Sequence, residues 1–340
     1  MMSLRPKTLL IYYAWPSVIN GAEGDVITAA NEISQYDYLV LGAGLAAPTH
    51  ENFQQTVAVL AHGALSETKV FGYIDVGVSP FPASNFSLTE IAASVQDWKN
   101  LGVYGILLDN FGYDFGLSRD RQNAAVGYVK NEGMKVIANG WNPDDVFGTL
   151  STAQNPNQTP TLLDADDIYL SESYQIQEGA YQDPTIWKDK AVKLEQYQRS
   201  LGFSIFSVTT NDINNAYVKD KADYSWYSAV LYGHEAWGWG EYVFSAQSDP
   251  AVNGRAPSRP RPTIDPGDRF TSAVTQNGTR HSRRTNQGRP LLSLLSRGTI
   301  WVDTADNTYR FWTFRSVVIQ LLSTPVRSVR EFIILIFRRK

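Results

Sequence analysis

Apolar runs in this chain end, again and again, in an acid or an amide. The clearest is Gly102-Val-Tyr-Gly-Ile-Leu-Leu-Asp-Asn-Phe-Gly112, where a strand-forming stretch stops at Asp109 with Asn110 beside it. Other run ends supply Asp75, Asn139, Glu172, Asn211 with Asp212, and Glu241, and the aromatics Tyr73, Trp141, Tyr174, Trp237 and Trp239 accompany them. Carboxylates do acid–base or nucleophilic work on an acetal, flat rings stack on sugar faces, and Asn and Asp bond hydroxyls, so this set describes a carbohydrate site. A phosphate site would want a glycine-rich turn with Lys or Arg. Up to residue 254 the only arginines are Arg5, Arg119, Arg121 and Arg199.

Such a set works only if the strand ends converge. Eight strand-like runs are expected, near 9–15, 38–44, 69–77, 103–111, 135–141, 167–174, 203–210 and 236–239. Helical patterns separate them at 25–36, 51–65, 88–101, 119–132, 144–150, 184–201 and 222–232. Ser87-Leu-Thr-Glu90 is a capping box, and Gly102 and Gly133 stand where helix C-terminal caps fall. Runs apolar on both faces, alternating strictly with helices, predict a parallel (β/α)8 TIM barrel of class α/β whose catalytic groups sit at the C-terminal strand ends. No helical pattern follows Glu241, so closure of the ring is the least supported step.

Four segments resemble, in order and spacing, the barrel strands of the glycoside hydrolase 114 group. These are Phe71-Gly-Tyr-Ile-Asp-Val-Gly77, Gly105-Ile-Leu-Leu-Asp-Asn110, Ile137-Ala-Asn-Gly140 and Ser171-Glu-Ser-Tyr174. That group comprises endo-α-1,4-polygalactosaminidases and related hydrolases, and the resemblance covers roughly residues 8–242. It implies an endo-acting glycosidase on a galactosamine-containing polysaccharide. It also implies that the acid ending strand four and the glutamate ending strand six, here Asp109 and Glu172, are the catalytic pair. The family's strand-four signature carries a second Asp three residues after the first. This chain has Gly112 there and Asp114 two residues later.

The remaining candidates each have two readings. Asp75 is a substrate-binding acid, or the partner of a backbone amide in the turn before Ser79-Pro80. Asn139 bonds a sugar hydroxyl or holds the strand-five loop. Trp237 and Trp239 share one side of a strand, where they stack a sugar or plug the barrel. Tyr73, Asn110, Trp141, Tyr174 and Asn211 are taken as substrate-binding by their place at strand ends. Asp164, Asp166 and Asp167 precede strand six on the wrong side and read as solvated. His50, His62 and His234 do not fall at metal-ligand spacing, cysteine is absent, and no metal or cofactor is expected.

Charge divides the chain. Residues 1–254 carry 14 Lys and Arg against 29 Asp and Glu, a net of −15, and residues 255–340 carry 16 against 5, a net of +11. An acidic barrel suits a cationic aminosugar polymer and argues against nucleic acid as its partner. Three regions are therefore expected: a barrel at 1–247, a Pro/Arg-rich linker at 248–297, and a β hairpin with an apolar tail at 298–340. The basic region reads as an arm that binds nucleic acid, an acidic polymer or a partner, or as a poorly ordered appendage or an out-of-frame segment. Gly298-Thr-Ile-Trp-Val-Asp-Thr-Ala-Asp-Asn-Thr-Tyr-Arg-Phe311 resembles small β modules of phage tail and baseplate proteins, which implies attachment to a virion or to another copy of the chain. The opening apolar run reads as a first strand rather than a signal peptide, an expectation of cytoplasmic or virion-associated location. No run is long and apolar enough for a membrane span. Against the hydrolase stands a second function: a non-catalytic carbohydrate-binding or virion structural protein on a hydrolase-like barrel.

Overall fold

The computed structural model describes residues 3–79, 83–214, 217–244, 254–286 and 297–313. The chain divides into two compact units, one spanning Pro6–Arg261 and the other made of Met1–Arg5 with Pro262–Lys340.

The first unit is a closed parallel barrel. Its strands are β1 (Lys7–Tyr12), β2 (Tyr38–Leu41), β3 (Lys69–Asp75), β4 (Gly105–Asp109), β5 (Lys135–Ala138), β6 (Ile168–Ser171), β7 (Ser204–Val208) and β8 (Ala236–Gly238). Each pairs with its neighbour in sequence, and β8 returns to β1 through Lys7↔Ala236 and Thr8↔Trp237, which closes the ring. Alternate residues fill the interior: Leu9, Val40, Phe71, Leu107, Ile137, Leu170, Phe206 and Ala236 form one buried cluster. Residues of the opposite parity, such as Leu10, Leu39, Ile106, Val136 and Tyr169, join the shell between barrel and helices. A strand buried on both faces must be apolar at every position, which is why these runs do not alternate with polar residues.

Among the described residues seven α-helices follow the strands: α1 (Val26–Ile33), α2 (Phe53–Leu60), α3 (Leu88–Asn100), α4 (Arg119–Asn131), α5 (Pro143–Phe147), α6 (Pro184–Leu201) and α7 (Lys219–Tyr232). Their ends are written in the sequence. Ser87 and Glu90 form both bonds of the capping box on α3, and Asp183 with Pro184 opens α6. Gly102 and Gly133, at φ +74° and +70°, end α3 and α4 in the left-handed conformation that glycine adopts without a Cβ penalty. Among the described residues no eighth helix follows β8. Residues 254–256 instead lie against the β1 side of the barrel. There Gly254 and Ala256 carbonyls accept bonds from Tyr12, Asn20 and Tyr36, and Ala256 is buried in the shell core.

In the second unit, β9 (Arg269–Phe270), β10 (Thr275–Asn277), β11 (Arg280–Asn286), β12 (Arg297–Asp303) and β13 (Thr308–Thr313) form a small antiparallel sheet. The hairpin around residues 304–307 is present, with Asn307 at φ 55° and Asp306 accepting from the Thr308 amide. Residues 269–286, assigned above to the linker, hold three strands of this sheet, β9, β10 and β11. Their polar, arginine-rich pattern concealed them, because only His281 and the end of β11 are buried. The apolar tail expected at 316–340 lies outside the described residues.

Candidate active site

Inward parity carries the site. On β4 the interior positions run from Leu107 to Asp109, on β5 from Ile137 to Asn139, on β6 from Ile168 and Leu170 to Glu172, and on β3 from Phe71 to Tyr73. The same alternation that fills the barrel with aliphatic side chains therefore delivers polar ones to its mouth.

There the Asn139 side chain joins the two acids. Its Nδ2 donates to Asp109 Oδ1 at 2.8 Å and to Glu172 Oε2 at 2.9 Å, which orients the amide with its nitrogen between the carboxylates. Tyr73 donates its phenol to Asp109 Oδ2 at 2.7 Å. Burial, and then the Glu172 charge, push the Asp109 carboxyl up to about 6, while the bonds from Tyr73, the Asn110 backbone and Asn139 pull the other way. Tyr73 is driven well above the usual phenol range by burial and by Asp109, so it stays a neutral donor. Tyr13, one parity step beyond Ile11 on β1, meets Tyr73 edge-to-face at 5.2 Å and Phe244 at 5.2 Å. The cleft lined by Asn139 and Glu172 is walled by Ile11, Tyr13, Leu170, Val208, Asn211 and Phe244.

Of the other predicted residues, Asn211 lines this cleft. Trp141, beyond the end of β5, is 43% exposed, with Lys190 Nζ 4.6 Å from its ring centroid. Asn211 donates to the Gly240 carbonyl at 2.5 Å, and its Oδ1 is buried with no partner among the described residues.

Five others are turned to structural work. Asp75 is buried, its Oδ1 accepting from the Gly77 amide and from Asn110 Nδ2, each at 2.9 Å, and its Oδ2 from the Ser84 amide at 2.6 Å. Three internal donors leave it as the tie of the β3 loop, and Asn110, held at φ 54°, is its partner rather than a sugar ligand. Gly77 is required there, because a Cβ would meet the Cβ atoms of Ala83 and Asn110 at 2.9 Å. Tyr174 is buried against His234 at 4.7 Å between ring centroids. Trp237 and Trp239 are also buried: Ala236 takes the interior position on β8, so its neighbour Trp237 points outward and donates Nε1 to Ser225 of α7 at 2.8 Å. Trp239 packs edge-to-face on Tyr217 at 5.3 Å. These two rings neither plug the barrel nor meet the cleft acids.

Glu241 is paired with Arg259. The acidic run before β6 is paired too, Asp164 and Asp167 with Lys130 and Asp166 with Lys135. Sequence reasoning missed Tyr13 and Lys190. Counting inward parity along β1 finds the first, whereas nothing local marks the second, which reaches Trp141 only through the packing of α6. Among the described residues no group of His, Asp and Glu is placed to hold a metal ion, and no helix is long and apolar enough to cross a membrane.

The architecture has known counterparts. α-Galactosidase I from Mortierella vinacea superposes with a TM-score of 0.51 at 13% identity, covering 88% of this chain and 82% of that one. The glycoside hydrolase domain of PelA from Pseudomonas aeruginosa matches at 12% identity and a TM-score of 0.39, over 74% of this chain and 99% of that one. No family model matches the sequence, and no curated protein does. The chain is thus a TIM barrel with a small antiparallel sheet after it, and its chemistry has to be argued from the mouth of the barrel.

Proposed function

We propose that this protein is a glycoside hydrolase that cleaves an α-linked, aminosugar-containing polysaccharide with Asp109 and Glu172 as its catalytic pair. The observation that carries the proposal is the single Asn139 amide bonded to both carboxylates at the C-terminal mouth of a barrel. Its two legs keep those oxygens less than about 6 Å apart, close to the roughly 5–5.5 Å of retaining enzymes and short of the roughly 6.5–9.5 Å of inverting ones. Asp109 is then the nucleophile. Its oxygens accept from Tyr73 and Asn139, donors that favour the ionised form. Glu172 protonates the leaving oxygen, and in the second half-reaction it takes a proton from the water that attacks the glycosyl–Asp109 ester. Exposed Trp141 and the buried acceptor of Asn211 supply a stacking face and a hydroxyl partner.

The choice of substrate rests on the resemblance to glycoside hydrolase 114 and on the acidic barrel. The departure at Gly112 fits the same reading: a Cβ there would meet Asp114 Oδ1 at 2.1 Å, so the Asp114 carboxylate fills the space a side chain at 112 would use. Reducing-end release from a partly deacetylated α-1,4-galactosaminogalactan tests the proposal. Wild type should release ends, and Asp109→Asn and Glu172→Gln should each lose about 10²–10⁴-fold, the usual contribution of such a group. Undiminished release in both variants would overturn it.

A further inference from the structure

The antiparallel sheet of the second unit has two unlike faces. Strand alternation turns His281, Ile300 and Val302 to one side, where they are buried. It turns Arg280 and Arg284 of β11, Arg297 of β12 and Arg310 of β13 to the other side, and all four are exposed. Arg269 of β9, opposite Asn286, adds a fifth exposed arginine to that side. Two indoles share it. Trp301 stands in one cross-strand row with Ser282 and Arg310, and Trp312 stands in the next row with Thr299 and Arg284. Successive rows on one face lie about 7 Å apart along a strand, so each such step carries one guanidinium and one ring. Trp312 is 39% exposed, and the Arg280 guanidinium lies 4.2 Å from the Trp301 ring centroid. Among the described strand residues of this face the one carboxylate is Asp303, which pairs with Arg280 at 3.5 Å. Arg269, Arg284, Arg297 and Arg310 form no ion pair among the described residues.

We infer that this face binds single-stranded nucleic acid, with guanidiniums on successive phosphates and bases stacked on Trp312 and along the Arg280–Trp301 layer. The inference is independent of the hydrolase reading. Residues 255–340 carry 16 Lys and Arg against 5 Asp and Glu, so the repulsion that an acidic barrel imposes on nucleic acid is reversed here. Arginine pairs with phosphate through two parallel hydrogen bonds and stacks on flat rings, which suits a polymer that repeats a phosphate and a base in every unit. An acidic polysaccharide offers the charge without the flat ring that continues a guanidinium–indole stack. A broad sheet face does not enter the groove of a duplex, so the bases it meets are unpaired ones.

Fluorescence anisotropy tests this on the full chain, with a labelled oligothymidylate of about 12 nucleotides and salt varied from about 50 to about 200 mM. Four unpaired arginines on phosphates predict that log K falls with log salt at a slope of about −3. Arg284→Gln combined with Arg310→Gln should weaken binding and halve that slope. Trp312→Ala should weaken binding about tenfold and leave the slope unchanged, since stacking releases no counterions. All three side chains are exposed, so thermal melts of both variants should match wild type. No binding at the lowest salt, a slope that survives the arginine substitutions, or undiminished binding by Trp312→Ala overturns the inference. So does polygalacturonate that displaces the oligonucleotide as well, charge for charge, as unlabelled oligothymidylate does.

Discussion

Asp109→Asn should make this protein more stable at neutral pH and leave it unchanged in acid. The folded protein holds the Asp109 carboxyl at about 6, above its ordinary 3.8, chiefly through burial and then through Glu172. The folded state therefore binds this proton more tightly than the unfolded chain does. Stability falls as pH rises from about 3.8 to about 6, and the penalty is complete above that. At about 1.4 kcal/mol for each tenfold in proton affinity, the cost above pH 6 is about 3 kcal/mol. Asparagine carries no charge at any pH and escapes it. Its one oxygen can keep the bond from Asn139 while its nitrogen faces the Tyr73 phenol, at a loss of about 1 kcal/mol for the displaced donor. The net gain is about 2 kcal/mol at pH 7.5, or about 4–8 °C in melting temperature for a domain of this size. At pH 4.5 the remaining penalty is about 1 kcal/mol, which the lost bond cancels. Thermal melts followed by circular dichroism at the two pH values measure the difference. A variant destabilised equally at both, or a difference independent of pH, would refute the view that Asp109 is a desolvated charge opposed by Glu172.

Tyr73→Phe removes a bond that favours ionised Asp109, so the acid limb of activity, expected near pH 6 in wild type, should move to higher pH while the fold is kept; a pH–rate profile reads this directly. Asp75→Ala strands two backbone amides and the Asn110 side chain, and should cost about 2–3 kcal/mol in urea unfolding; substrate binding that weakens with no loss of stability would restore Asp75 to the cleft. Trp237→Ala empties a buried site and should lose about 3–5 kcal/mol. Trp141→Ala, on an exposed ring, should stay within about 0.5 kcal/mol of wild type and raise KM, and the opposite pattern would exchange their roles.

How much of this was legible in the sequence follows from which rules are local. Strand and helix alternate by patterns within ten to twenty residues, so the eight strands, seven helices and their caps could be read directly, down to the capping box at Ser87. Strand alternation is local as well, and it sent Asp109, Asn139 and Glu172 to the barrel mouth. The hairpin at 304–307 was visible, whereas the polar strands of 269–286 were not, since few of their side chains are buried. What no local rule contains is where a polar side chain finds its partner. Asp75 and Asp109 both end apolar runs, yet Ser84 and Gly77 take the first for the loop while Tyr73 and Asn139 hold the second beside Glu172. Trp141 and Trp237 both end strands, but α7 covers one and α6 sends Lys190 over the other. The sequence by itself determined the barrel and the acids at its rim. Only tertiary packing decided which acids and rings face the cleft, because burial and hydrogen-bond satisfaction depend on groups far apart in the chain.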